Sequence, residues 1–192
     1  FTLLEGSDTL NASIRNESPI SRVKYVNSNS ILADNLQNQV FKKFIDFVDR
    51  MLLFYSLDSR GYEGFMNGSE SIAEGIVNSG KVKEFQEFLR ENDIDYELYG
   101  CEVDGRKAIY CHFDNKDADF FKIASTGTRS LSLFYYWYMR MEKASFVFID
   151  EFDAFYHYEL SESVQKRLRK IAGVQVFTTT HNTNLMSNDL LR

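Results

Sequence analysis

The sequence predicts an α/β fold in which helices flank a parallel sheet, preceded by a mainly helical region and accompanied by a β-hairpin. Residues 33–57 and 81–91 repeat apolar side chains at three- and four-residue steps, the period of helices with one buried face. Residues 146–179 follow the order strand, helix, strand, which makes the two strands parallel neighbours. Asp104-Gly105 separates two alternating runs and predicts the hairpin turn. We expect a mixed, mainly helical region over residues 1–92 and a sheet-based domain over residues 93–192.

The second half of the chain is the richer in predicted elements. A hydroxyl-rich cluster at residues 125–128 precedes an aromatic helix at residues 131–141. Buried strands are predicted at residues 145–149 and 174–179, with a helix at residues 158–171 between them. The consecutive aromatic residues of 134–138 cannot share one helix face, so this helix is buried on two sides or meets a partner.

Composition limits the classes of function. The 192 residues are 44% hydrophobic with a net charge of -6, which disfavours broad binding of nucleic-acid phosphates and leaves a local basic groove open. No apolar run approaches the roughly 20 residues of a membrane span, and the N-terminal residues lack the charged-then-apolar pattern of a targeting sequence, so we expect a cytoplasmic protein. Cys101 and Cys111 are expected to be reduced thiols. Because the chain opens at Phe1 without methionine, we expect it to be part of a longer protein.

Two adjacent acids, Asp150 and Glu151, follow the first predicted parallel strand. Ligands of open α/β sheets bind at this carboxyl end of the strands. One carboxylate there suits Mg²⁺ ligation, and its neighbour suits activation of a water molecule for nucleotide hydrolysis. The alternative is a solvated turn or a helix cap.

The second parallel strand ends in Thr180-His181-Asn182, which places His181 beside the acidic pair. An imidazole in that position can donate a hydrogen bond to a terminal phosphate or to the attacking water.

The run Ser125-Thr126-Gly127-Thr128 opens the aromatic helix. Free N–H groups at a helix start, a glycine that permits close approach and hydroxyl donors together make an anion site. The alternative is an ordinary capping turn.

These three motifs occur in the order and spacing of ABC-type ATPases. Ser125 to Thr128 resembles the signature loop, residues 146–151 resemble the Walker B strand, and Thr180-His181 resembles the switch histidine. Residues 120–192 as a whole resemble the prokaryotic abortive-infection, or AAA-type, ATPases that act in phage defence. The resemblance implies the C-terminal half of an ABC-type P-loop ATPase head over residues 93–192, with the mainly helical region of residues 1–92 as a lid or arm.

The resemblance also implies roles for single residues. Asp150 would position Mg²⁺, Glu151 would polarise the water and His181 would contact the γ-phosphate of ATP. The segment Ser125, Thr126, Gly127 and Thr128 would cap ATP held by a second copy of the protein, and Asp153 would lie in the loop that crosses this dimer interface. A nuclease or toxin is the kind of effector partner that the family implies, and nucleic-acid binding stays open.

Two other functions compete with this interpretation. A DExD-type helicase core would use Asp150-Glu151-Phe152-Asp153 and the hydroxyls of residues 178–180, but the signature-like run at residues 125–128 counts against it. A regulatory or scaffold module without ATPase activity would use the aromatic helix to bind a partner.

The chain contains no G-x-x-x-x-G-K-[ST] run, the loop that cradles the inner phosphates of ATP. We therefore predict that these 192 residues alone hydrolyse ATP poorly or not at all. The measurement is phosphate release by the isolated chain; a steady rate that disappears in Glu151→Gln would contradict the prediction.

Overall fold

The computed structural model describes residues 32–55, 62–63, 70–114, 116–154 and 158–186. The chain divides into two compact units, Phe1–Met51 and Leu52–Arg192. This division does not coincide with the boundary expected near residue 92, because the helices between residues 72 and 90 contribute side chains such as Ile76 and Phe85 to the hydrophobic core of the second unit. Residues 1–31 of the predicted lid or arm lie outside the described residues.

The described part of the first unit consists mainly of helix α1, Leu36–Asp49. The side chain of Asn35 accepts a hydrogen bond from the Asn38 N–H at 2.8 Å and caps the helix start. The predicted helix was extended too far, because Met51–Tyr55 forms strand β1. An apolar run of this length fits a helix or a strand equally well, and its pairing within a sheet decides between them.

Strand β1 belongs to a four-stranded sheet whose other strands are β2, Tyr62–Glu63, β6, Phe146–Asp150, and β7, Gln175–Thr178. The strand order is β2-β1-β6-β7, and β2 runs antiparallel to β1. Strands β6 and β7 are parallel, with Ile149 opposite Thr178, and helix α6, Tyr158–Leu168, connects them. The predicted strand-helix-strand unit is confirmed.

A second sheet of three antiparallel strands contains the predicted hairpin. Its strands are β3, Glu97–Val103, β4, Arg106–Phe113, and β5, Lys116–Asp119. Asp104 and Gly105 have φ of 51° and 75°, the positive values that a tight hairpin turn with matching strand twist requires. Strand β5 was not predicted; its Asp117 accepts a hydrogen bond from Tyr99 at 2.8 Å and contacts His112 at 2.8 Å, which links all three strands.

The aromatic helix α5 is Thr126–Met141. The other helices are α2, Ile72–Asn78, α3, Val82–Arg90, α4, Phe120–Ile123, and a 3-10 helix, Thr183–Met186. Phe134, Tyr135 and Trp137 of α5 are all buried, and they pack on aromatic rings from α3 and β1. The helix is therefore buried on more than one side, one of the two outcomes that its sequence allowed.

Cys101 and Cys111 are free thiols, and burial raises the pKa of Cys111 to about 11.

Among the described residues, no helix has both the length and the apolar character needed to cross a membrane.

Helix α2 requires a glycine where it meets α5. A Cβ on Gly75 would lie 2.2 Å from Tyr136 Cε2, and Tyr136 is itself held by Arg140, whose guanidinium carbon lies 3.8 Å from the ring centroid. We predict that Gly75→Ala lowers the free energy of unfolding by about 1–3 kcal/mol, because the overlap forces the helices apart.

Urea denaturation measures this change. Gly127→Ala is the matched control, since a Cβ there would lie 3.9 Å from its nearest neighbour, the Ser125 hydroxyl oxygen. It should leave the stability equal or raise it by less than about 1 kcal/mol. Equal stabilities for the two variants would contradict the close helix contact.

Candidate functional site

The two acids lie where strand β6 ends and the chain turns. Asp150 is the last residue of the strand, and Glu151 begins the turn with φ of 45°, a left-handed conformation that is uncommon for a residue with a Cβ. Both residues are partly buried. The turn is closed by a hydrogen bond from the Ala154 N–H to the Glu151 carbonyl at 3.0 Å.

The Thr179 hydroxyl connects both acids to the end of strand β7. It donates to Asp150 Oδ1 at 2.6 Å and accepts from the Glu151 N–H at 2.7 Å. Two backbone bonds extend the connection: the Thr179 N–H donates to Ile149 O at 3.0 Å, and the Phe152 N–H donates to Thr179 O at 3.1 Å. The ends of the two parallel strands are thus joined by side-chain and backbone bonds around one threonine.

His181 lies within hydrogen-bond distance of the second acid, with 2.9 Å between its Nε2 and Glu151 Oε1. Its side chain is 88% exposed, whereas that of Glu151 is 23% exposed. The two groups therefore meet at the surface of the sheet edge, with the imidazole on the solvent side. Thr180, just before it, accepts a hydrogen bond from the Asn182 N–H at 2.9 Å.

The hydroxyl-rich segment forms the start of helix α5. Ser125 is its N-cap: its hydroxyl accepts from the Thr128 N–H at 3.1 Å and lies 2.8 Å from the Thr128 hydroxyl. Gly127 borders open space, because the nearest atom to an added Cβ would be 3.9 Å away. Within the described part of the chain, no hydrogen bond joins this segment to Asp150, Glu151 or His181.

Asp153, the remaining candidate, lies in the turn after strand β6 and is partly buried. Residues 155–157, the rest of the loop predicted to cross an interface, lie outside the described residues.

The site offers Mg²⁺ the Asp150 carboxylate rather than a complete set of protein ligands. No group of three or more acidic, histidine or cysteine side chains that fits a metal ion occurs among the described residues. Asp150 Oδ1 is bonded to Thr179, while Oδ2 accepts no hydrogen bond from the described residues. Mg²⁺ commonly takes one or two carboxylates together with waters and substrate phosphates, so Asp150 fits an ion that arrives with its substrate.

Sequence reasoning did not include Thr179 among the site residues. The available signal was its place in Thr178-Thr179-Thr180, at the end of a strand predicted to neighbour β6. Which of the three hydroxyls reaches the acids depends on the pairing of the strands, and the sequence alone does not give it.

The connection through Thr179 makes a testable contribution to stability. We predict that Thr179→Val, which keeps the side-chain shape and removes the hydroxyl, lowers the free energy of unfolding by about 0.5–1.5 kcal/mol, because Asp150 loses a donor and the Glu151 N–H loses an acceptor.

Thr179→Ser should retain most of that stability, and Thr178→Val is the matched control because Thr178 makes no side-chain hydrogen bond with the described residues. Urea unfolding compares the three. A Thr179→Val protein as stable as Thr179→Ser would argue against the connection.

Comparison with protein families agrees with this architecture. A family model described as "AAA domain, putative AbiEii toxin, Type IV TA system" matches residues 11–187. No curated protein matches the chain. The mixed α/β architecture, with parallel strands flanked by helices, is consistent with a P-loop ATPase fold, and the resemblance noted from the motifs is confirmed. Because the model covers most of the sequence, the chain belongs to this AAA domain family.

Proposed function

We propose that the chain supplies the hydrolytic residues of an ATPase that closes around ATP with a second copy of itself. The observation that carries the proposal is the 2.9 Å contact of His181 with Glu151 at the edge of the parallel strands, beside the Asp150 carboxylate. Membership of an AAA domain family supports nucleotide binding in general. The residues that perform the reaction, and the dimer, are our inference.

Asp150 holds Mg²⁺ in this proposal. Its Oδ1 is oriented by the Thr179 hydroxyl, which directs the carboxylate and leaves Oδ2 for the ion. The ion, when bound with ATP, neutralises charge on the outer phosphates.

Glu151 is the general base for the attacking water. Its backbone is anchored by Thr179 and its side chain is largely buried, so its carboxylate is held at the sheet edge at little further cost in conformational entropy. A carboxylate in hydrogen-bond contact with a water accepts a proton as that water attacks the γ-phosphate.

His181 contacts the terminal phosphate. Its exposed ring is attached just beyond strand β7 and is bonded in this structure to Glu151 Oε1. A bound γ-phosphate is an alternative hydrogen-bond acceptor for Nε2, and a shift of the ring to it releases the Glu151 oxygen for the water. Substrate binding and exposure of the base are coupled in this way.

The start of helix α5 contacts the ATP held by the second copy. The N–H groups of Thr126 and Gly127 have no acceptor among the described residues, and Gly127 leaves space for close approach. Ser125 and Thr128 complete the segment with hydroxyls, and Asp153 lies in the turn that the resemblance assigns to the interface. Two copies placed head to tail would bring this segment to the partner's nucleotide.

The output of ATP turnover requires a further protein. The family description names a toxin and a type IV toxin–antitoxin system, so we propose an effector of the toxin or nuclease kind, acting in phage defence in the cytoplasm. Membership of an AAA domain family favours this interpretation over a helicase core.

Glu151→Gln tests the proposal in the intact protein, with the phosphate-binding loop present. Removing the base should reduce the rate of ATP hydrolysis by about 10²–10⁴-fold, while ATP remains bound and holds two copies together. The measurements are phosphate release and molecular mass in solution with ATP and Mg²⁺.

Glu97→Gln, at an exposed position on strand β3, is the matched control for the lost charge and should behave as the unmodified protein. A scaffold without ATPase activity would show no difference in either measurement between Glu151→Gln and Glu97→Gln, and that result would refute the proposed function.

A further inference from the structure

A groove in the second unit, bordered by helices α3, α5 and α6, has the features of a separate binding site. Its cavity volume is about 300 Å³. Its walls carry four acidic side chains and two basic ones. The acidic residues are Glu84, Glu87, Glu91 and Glu142, and the basic residues are Lys81 and Arg167. None of them belongs to the proposed nucleotide site.

The basic side chains of the groove are already paired. Lys81 Nζ lies 3.3 Å from a Glu84 carboxylate oxygen, and Arg167 forms an ion pair with Glu91. Glu142, by contrast, makes no ion pair with any residue that the structure describes. Glu87 is also paired, with Arg90 at 2.8 Å, so Glu142 is the acid of the wall that has no ion pair among the described residues. Its charge favours a cationic ligand over an anionic one.

Aromatic rings form part of the same wall and already accept a cation. The Arg167 guanidinium carbon lies 4.6 Å from the centroid of the Phe88 ring and 5.8 Å from that of Tyr138. Faces of aromatic rings attract cations through their quadrupole. A second cation beside Tyr138 would meet the same kind of surface.

Tyr135 is a buried residue of the wall, and its hydroxyl is free to bond a ligand in the groove. The residue is 3% exposed, lines the cavity and makes no hydrogen bond with the described part of the chain. Burial raises the pKa of this phenol, and the charge of Glu84 raises it further, so the hydroxyl stays neutral. The hydroxyl oxygen can therefore accept a hydrogen bond from a ligand in the groove.

Three polar residues of the wall follow one face of helix α5 and its C-cap residue, Glu142. Tyr135, Tyr138 and Glu142 are separated by three and four residues, the spacing of neighbours on a helix surface. An ammonium group has three N–H donors, which is enough to bond both the Tyr135 hydroxyl oxygen and the Glu142 carboxylate. Met139 and Phe88 line the cavity too and supply apolar surface for an alkyl chain.

We propose that this groove binds an alkylammonium group. The ammonium donates hydrogen bonds to Tyr135 and Glu142, and its carbon chain packs against Phe88, Tyr138 and Met139. Two sources supply this chemistry: a lysine side chain of a partner protein, and a free polyamine. The inference does not depend on ATP hydrolysis.

An NMR titration of the intact, nucleotide-free protein tests the proposal. Adding n-butylammonium chloride should shift the amide signals of residues around the groove in a saturable manner, whereas n-butanol, which has a similar chain and no charge, should not. Tyr135→Phe and Glu142→Gln should each weaken binding about tenfold, since each removes a hydrogen bond to a charged group.

Glu97→Gln controls for the loss of one negative charge elsewhere and should change the affinity less than twofold. Glu142 is exposed, so its variant tests the proposal even if Tyr135→Phe disturbs the fold. Equal weakening by Glu97→Gln and Glu142→Gln, or equal shifts with n-butanol, would overturn the site.

Spermidine distinguishes the two sources. Binding more than tenfold tighter than n-butylammonium at constant ionic strength indicates a free polyamine, and comparable affinities indicate a single lysine side chain. Glu151→Gln should leave n-butylammonium binding unchanged, so a failure of the proposed ATPase and a failure of this site give different results.

Discussion

The parallel pairing of strands β6 and β7 is the constraint on which the candidate site depends. Parallel strands end at the same edge of a sheet, so the residues that follow each strand become neighbours although a helix separates them in sequence. Asp150 and Glu151 leave one strand, and Thr179 and His181 leave the other. A change of register would separate them, because the contacts around Glu151 require Ile149 to lie opposite Thr178.

The site is held by local bonds that offset a strained backbone. A left-handed residue with a Cβ costs roughly 1–2 kcal/mol, and Glu151 adopts that conformation where its N–H is anchored by the Thr179 hydroxyl. Strain of this kind is typical of functional positions, where it sets the direction of a side chain. Here the turn directs the Glu151 carboxylate towards His181.

Helix α5 serves the molecule in three ways along its length. Its first turn presents backbone N–H groups and is capped by Ser125. Phe134 and Trp137, in its middle, lie in the hydrophobic core. Tyr135 and the C-cap residue Glu142 line the acidic groove. The aromatic density that suggested a partner-binding helix is explained largely by packing, since rings from several elements surround it. The Tyr135 hydroxyl, which borders the groove, makes no hydrogen bond with the described residues.

The amino-acid sequence by itself determined the local features of the protein. The spacing of apolar residues predicted helix α3 and the crossover from β6 to β7. Turn and capping residues predicted the hairpin at Asp104-Gly105 and the cap at Ser125. Each of these features depends on residues that are close together in the chain. The sequence also predicted that His181 would lie beside the acids. Only the tertiary structure decided that residues 51–55 form a strand and that the Thr179 hydroxyl is the one that joins the acids. It also decided that Tyr135 lines a groove and makes no hydrogen bond with the described residues. These features depend on which distant segments meet, and pairing and packing across the chain override local preference there.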